Sequence, residues 1–320
     1  NMRPSDIIEI HNRPFYIQLL PDGQAKKVLY FHNDPLSMNG SKMVSEREEL
    51  LNKCSKIIFN SEWTKNRFFK DLEKFYLNSE KIEIIYQSTS KKKINLHKKE
   101  KIITFVGKLN KSKGYDLFGK AIIKILDEFK DWKSVVFGDE PREKINFYHE
   151  RLMNMGYQSN NNVLKTFNKS SIAVACSKWD EPFGRASLEA SSRGCAVIIS
   201  NRGGLPETIT DGIILKKLNY ISIYKEIKNL ILKKKKLLKL QKDSLDNFYL
   251  DNTANKLLNR SKYLDGIFST TAGEQISECV SDNFISFFPN IVDSSVESMK
   301  IYENINHPKD VFFALSHGVG

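Results

Sequence analysis

Short apolar, β-branched runs alternate along the chain with stretches whose apolar residues recur every three or four positions. In the first part, "DIIEIHN", "KVLYFHN", "KIIFNSE" and "KIEIIYQ" are near-continuous apolar runs of strand length, the pattern of strands buried on both faces of a parallel sheet. Between them, "SEREELLNKCSK" and "EWTKNRFFKDLEKFY" have helical spacing, and Ser61 stands where a capping hydroxyl satisfies the first free N–H groups of the second helix. The stretch "STSKKKINLHKKEK" then breaks the pattern: it is polar, lysine-rich and without period. Alternation resumes with "KIITFVGK", "KSVVFGDE", "SSIAVACSK" and "CAVIISN" as strands, and with helical segments such as "YDLFGKAIIKILDEF" and "RASLEASSR" between them.

Repeated βα units of this kind predict an α/β protein with two doubly wound, Rossmann-like domains. The first is expected to span residues 1–88, a linker 89–100 and the second domain 101–250. The chain opens Asn1-Met2 and enters a mid-domain strand at once, so the first domain is expected to be incomplete. After Ile213 the pattern is helical and lysine-rich to about Phe268, while residues 269–320 have no clear assignment.

Composition narrows the class. The chain has 320 residues, 40% hydrophobic and 28% charged, which is enough apolar material for sizeable cores. Its four cysteines, Cys54, Cys176, Cys195 and Cys279, form no C-x-x-C pair, which argues against a zinc site or a disulfide framework. No apolar run reaches the roughly 18 residues of a membrane-spanning helix. The net charge of +12 is local: residues 88–101 hold six Lys and one Glu and residues 216–242 ten Lys and one Glu, leaving −2 for the rest. Such runs are either solvated faces or surfaces drawn to anionic lipid headgroups. Nucleic acid is disfavoured as a partner, because neither run interleaves aromatic residues for stacking.

Three stretches combine residue types suited to chemistry. In "FVGKLNKSKGYDLF" a strand ends at Val106, Gly107 allows a turn, Lys108 and Lys113 follow, and a helix begins near Tyr115. Helix N-termini at the carboxyl ends of parallel strands attract anions, so the loop is either an ordinary βα connection or a diphosphate clamp. In "SKWDEPFGRASLEA", Glu181 lies in the loop and Glu189 about one turn into the next helix, with the Phe183 and Gly184 N–H groups between them. Each acid is either a residue favoured near a helix N-terminus or an acceptor for sugar hydroxyls. In "NRGGLPETITDG", Gly203 and Gly204 either make a tight turn or let backbone approach a phosphate or sugar. No G-x-G-x-x-G follows any strand, which argues against a dinucleotide-binding oxidoreductase.

Taken in order, strand-G-K-x4-K-G, E-x7-E around P-F-G, and G-G-x-x-E resemble the donor-binding domain of glycosyltransferase family 4, over roughly residues 101–212. The segments "YFHNDPLSMNGSK" and "IIFNSEWTKNRF" resemble the acceptor-side domain of the same family. The resemblance implies a two-domain GT-B enzyme that transfers sugar from a nucleotide diphosphate-sugar with retention. It implies donor-site roles for Gly107, Lys108, Lys113, Phe183, Gly184 and Glu189. Lys108 and Lys113 would hold the diphosphate, Glu181 would face the donor sugar, Glu189 would meet the ribose, and His32 would stand near the reacting centre. His32 taken alone is also explicable as a residue closing a strand in a turn-prone "HND". The resemblance further implies a helix crossing back to the first domain, expected at 251–268, and a glycan or lipid-linked acceptor. The expected setting is the cytoplasm, with peripheral contact at an anionic membrane. No cofactor or metal is expected, since no D-x-D occurs and two lysines supply positive charge. The chain departs from the family in "DGIILKKLN", which lacks the glycine-rich continuation after the G-G-x-x-E segment, and the first domain's opening glycine-rich loop is expected to be missing with the start of that domain. A non-catalytic nucleotide-sugar-binding module is the alternative reading.

Overall fold

A computed structural model describes residues 7–20, 25–72, 80–143 and 145–250, and the backbone of Val311–Ala314. The described chain forms two units that meet in sequence at Tyr86 and Gln87. Each is built on a wholly parallel sheet.

The first unit carries β1 (Ile7–His11), β2 (Lys26–Phe31), β3 (Lys56–Phe59), β4 (Ile82–Ile84) and β11 (Val311–Ala314), in the order β11-β1-β2-β3-β4. Its helices are α1 (Pro14–Leu19), α2 (Val44–Lys53) and α3 (Glu62–Phe68). Ile10, Leu29, Phe31, Ile57, Phe59 and Phe68 share one core. Ser61 caps α3 as expected, its Oγ accepting from the Thr64 N–H at 3.0 Å. The helix is shorter than its periodicity implies and ends at Phe68, where the buried Arg47 guanidinium takes the carbonyls of Phe68 and Lys70. Donors aimed at the last carbonyls of a helix satisfy the groups that have no partner within it.

The second unit has the order β10-β9-β8-β5-β6-β7. Its elements are β5 (Glu100–Val106), α4 (Tyr115–Glu128), β6 (Lys133–Phe137), β7 (Leu152–Asn154), α5 (Asn160–Lys169), β8 (Ser170–Ala175), α6 (Arg185–Ser192), β9 (Ala196–Ser200), β10 (Ile213–Leu215), α7 (Tyr220–Leu232) and α8 (Lys234–Asp246). Strand alternation divides its core between two faces. Ile103, Phe105, Val136, Ile172 and Ile198 meet Phe118, Ile122 and Ile125 of α4 and Ile223 and Ile227 of α7. Ile102, Val135, Phe137, Ala173 and Val197 meet Val163 and Phe167 of α5 and Ala190 of α6. The chain leaves β5 toward β6 on one side, and β8 lies on the other. Such a reversal opens a crevice at the strands' carboxyl ends, between the loops that follow β5 and β8.

Several elements differ from the sequence expectation. α1, β7, β10 and α5 were not foreseen. β7 and β10 have three residues each; β7, Leu-Met-Asn, has no β-branched residue, and β10 interrupts a stretch expected to be helical. α5 opens on three asparagines, weak helix formers, and only Val163 and Phe167 at i and i+4 mark its buried side. The lysine-rich segment is not solvated throughout. Lys99 is half-buried, and its Nζ donates to the carbonyls of Phe167 (2.8 Å), Ser170 (2.7 Å) and Arg193 (2.8 Å), at the ends of α5 and α6. Burial lowers its pKa from the usual lysine range. Cys54, Cys176 and Cys195 are buried and unpaired, and burial pushes the Cys54 and Cys176 thiols up to about 12. The helix expected at 251–268 lies outside the described residues, as does 269–320 apart from β11.

Candidate functional site

The loop after β5 is shaped by backbone that few residues other than glycine can adopt. Gly107 (φ +153°) donates its N–H to Phe137 O at 3.0 Å, and a Cβ on Gly138 would lie 2.0 Å from Gly107 O. The loop then folds on Asn110, whose Oδ1 accepts from the Lys113 N–H at 2.9 Å and whose carbonyl accepts from Tyr115 N at 3.1 Å. Ser112 O faces the loop after β8, where it accepts from Lys178 N (2.8 Å), Trp179 N (3.1 Å) and Ser177 Oγ (3.1 Å). The two loops are therefore locked together by main chain before any charged side chain is considered.

Across that lock, Lys113 Nζ reaches both carboxylate oxygens of Glu181, at 2.6 and 2.8 Å. Glu181 is the more enclosed partner, its side chain 12% exposed against 34% for the lysine. The two were expected to serve different parts of one ligand; the structure pairs them with each other. The second glycine-rich loop sits against the same carboxylate's backbone. Gly204 N donates to Glu181 O at 2.7 Å, and a Cβ on Gly203 (φ +59°) would stand 2.2 Å from that oxygen. Here the paired glycines permit close approach of one loop to another.

Gly184 (φ +106°) opens α6, and a Cβ there would press on Leu205 Cδ1 at 2.4 Å. The Phe183 ring is buried in the interior beside it. Ser187, Ala190, Ser191 and Ser192 are all buried, so α6 lies close on its neighbours. That packing carries Glu189 inward, 4% exposed, where its Oε1 accepts from Asn160 Nδ2 at 3.0 Å and from the Arg185 guanidinium at 3.0 Å. Asn160 is the first residue of α5 and Arg185 the first of α6. Neither was singled out from the sequence: the Asn160 contact spans 29 positions and leaves no periodic signal, whereas the Arg185–Glu189 pair has the ordinary i,i+4 spacing of a helix and was missed. Lys108 is exposed at the start of the loop after β5.

In the first unit, His32 follows β2 and is held at both ends of its backbone. Its N–H donates to Asn12 Oδ1 at 3.1 Å and its carbonyl accepts from Asn60 Nδ2 at 2.9 Å. Its ring stacks on Tyr30 at 4.3 Å, and its Nε2 lies 2.8 Å from His11 Nδ1. Removal from water, reinforced by His11 and opposed by Glu9, lowers its pKa to about 3, so the ring stays neutral at physiological pH.

Residues 87–245 match the family model described as glycosyl transferases group 1. Among curated proteins, spore coat protein SA of Bacillus subtilis (strain 168) is 33% identical over 132 residues, 37% of this chain and 35% of that protein. The putative glycosyltransferase YtcC of the same organism is 24% identical over 252 residues, 67% of this chain and 60% of that protein. The chain thus spans between a third and three-fifths of the length of these two relatives. The crystal structure of Anabaena Alr3699/HepE in complex with UDP-glucose has a TM-score of 0.60 at 15% identity, over 87% of this chain and 79% of that one. That likeness is one of fold: two parallel α/β units of GT-B type.

Proposed function

Because the chain belongs, through residues 87–245, to the group 1 glycosyl transferases, glycosyltransferase family 4, we propose that it moves a sugar from a nucleotide diphosphate donor to a glycan or glycolipid, with retention at the anomeric carbon. The observation that carries this reading is the Lys113–Glu181 pair at the carboxyl ends of β5 and β8, where open α/β sheets bind ligands. A diphosphate entering there offers Lys113 a stronger anionic partner and frees the Glu181 carboxylate to accept hydrogen bonds from donor-sugar hydroxyls. Lys108, beside Gly107, adds a second positive charge as a point charge without the bidentate geometry of arginine. The backbone N–H groups of Phe183 and Gly184 lie on the rim of the same loop, and Glu189, steadied by Asn160 and Arg185, receives the ribose hydroxyls.

The chemistry follows from charge. As the bond between the anomeric carbon and the leaving oxygen breaks, positive charge grows on the sugar ring and negative charge on the diphosphate. Fixed cations aimed at the diphosphate stabilise that separation more than they stabilise the bound donor, which is the condition for raising turnover.

Nucleotide release from UDP-glucose, GDP-mannose and ADP-glucose tests the reading. Release from one of them, undiminished by EDTA, is the expected result. Binding without release would identify a nucleotide-sugar-binding module, and loss of activity on chelation would overturn the metal-independent account. Truncation of Glu189 to Ala is expected to weaken nucleotide affinity about tenfold, on the order of 1.4 kcal/mol, with the nucleoside monophosphate losing as much as the diphosphate. Equal affinity in that variant would remove Glu189 from the site.

We place this activity in the cytoplasm, at the membrane face, on the strength of the lysines of α7 and α8. Lys225, Lys228, Lys234, Lys235, Lys236, Lys239 and Lys242 lie on these two helices, and Lys233 joins them. Among the described residues no helix is long and apolar enough to cross a membrane. Co-sedimentation with vesicles containing anionic lipid is expected to fall steeply between low and physiological salt, and salt-independent association would contradict electrostatic docking.

A further inference from the structure

Three titratable groups of the first unit form a continuous hydrogen-bonded line. Glu9, 4% exposed in the middle of β1, places Oε1 2.9 Å from His11 Nε2. His11, two residues on and therefore on the same side of the strand, places Nδ1 2.8 Å from His32 Nε2. Parallel pairing of β1 with β2 sets Tyr30 opposite His11, and the Tyr30 ring stacks on both imidazoles, 5.4 Å from His11 and 4.3 Å from His32. Asn12 adopts φ +59° and turns its amide oxygen back onto the N–H groups of His32 and Asn33. A buried carboxylate, a strained asparagine and two stacked rings thus converge on the orientation of one imidazole.

The line has one proton arrangement when both rings are neutral. With Glu9 ionised, its carboxylate only accepts, so His11 Nε2 carries a hydrogen and His11 Nδ1 a lone pair. That lone pair requires the hydrogen of His32 to sit on Nε2. His32 Nδ1 is left as an acceptor, and no described residue supplies it with a donor. This is how a carboxylate fixes a histidine tautomer through a neighbouring group.

We propose that Glu9 and His11 are positioning residues that hold His32 in the Nε2–H tautomer, so that Nδ1 presents a lone pair to a ligand hydroxyl at the carboxyl ends of β1 and β2. The inference rests on the proposed transferase reading for the identity of the hydroxyl, but the tautomer itself does not. Removal of the ring from water supports it independently, because a neutral His32 can accept where an imidazolium can only donate. The groups facing His32 are Glu9, His11, Tyr30 and the amides of Asn12 and Asn60, and among them only Glu9 supplies negative charge.

The test is the tautomer of His32, read from imidazole nitrogen shifts by long-range proton–nitrogen correlation at pH 8, with His32→Gln used to assign the signal. Wild type is expected to show a protonated Nε2 and a bare Nδ1. His11→Phe keeps the stacked ring but removes the acceptor, and is expected to give a mixture of tautomers. It should also slow nucleotide release from the active donor roughly 10- to 100-fold with KM unchanged, the loss typical when a partner that orients a functional histidine is removed. Glu9→Gln, nearly isosteric, is expected to shift the tautomer balance in the same direction, and it serves if His11→Phe does not fold. A protonated Nδ1 in wild type, or an unaltered His32 signal in both folded variants, would overturn the proposal. Turnover equal to wild type in a variant whose tautomer has changed would overturn it as well. If wild type releases no nucleotide from any donor, the transferase reading fails and the positioning claim is decided by the nitrogen shifts alone.

Discussion

Lys113→Met is expected to lower kcat/KM for nucleotide-sugar turnover by roughly 10²- to 10³-fold, the range seen when one preorganised group facing developing negative charge is removed. Two effects add. The leaving diphosphate loses the cation best placed at the β5–β8 crevice, and Glu181, with a side chain only 12% exposed, loses its bidentate partner. Met keeps most of the side chain's volume, so packing is little disturbed. Lys113→Arg restores the charge in a bulkier head and is expected to recover part of the loss. Steady-state kinetics with the active donor measures both variants. A Lys113→Met enzyme within threefold of wild type would remove this residue from the mechanism and leave Lys108 as the remaining candidate.

Gly114→Ala is expected to damage both the fold and the site. The residue opens α4 at φ +74°, and an added Cβ would lie 2.0 Å from Cys176 O, a backbone atom at the end of β8. The left-handed conformation alone costs an alanine about 1 to 2 kcal/mol. Relief of the clash must also part the two loops that Ser112 O ties together, and the total is expected near 3 kcal/mol. For a unit of this size that lowers Tm by about 10 °C. Gly156→Ala is the natural comparison: its φ is +63°, but nothing lies within 4 Å of the added carbon, so it should cost only the about 1 to 2 kcal/mol of the left-handed conformation. Because Gly114 follows Lys113 directly, its alanine variant should also lose donor affinity at temperatures where it remains folded. Thermal unfolding with donor titration separates the two effects, and equal Tm shifts for the two variants would contradict the close-approach argument.

Much of this arrangement was legible in the sequence, for identifiable reasons. Strands buried on both faces announce themselves as apolar runs, so β1 to β6, β8 and β9 were foreseen, as were the Gly107 turn and the start of α4 at Tyr115. Ser61 was recognisable as a cap because capping is local. What escaped notice was non-local. Lys113 and Glu181 stand 68 positions apart, and no spacing rule brings them together; the sheet order does. Asn160 reaches Glu189 only because α5 packs beside α6, and the asparagine run around it resembles a loop. Lys99 has the composition of a solvated linker and the environment of a helix-end staple. Glu9 and His11 did leave a trace, as two polar residues at alternate positions of an otherwise apolar strand. In a strand buried on both faces, such residues need a partner.

The central claim is that the crevice between the loops after β5 and β8 receives a nucleotide diphosphate. Calorimetric titration of the folded chain with UDP, GDP and ADP tests it most directly. Saturable binding of one of the three, weakened in Lys113→Met far more for the diphosphate than for the corresponding monophosphate, is the result this account predicts. No binding of any of them to protein that unfolds cooperatively on heating would contradict it.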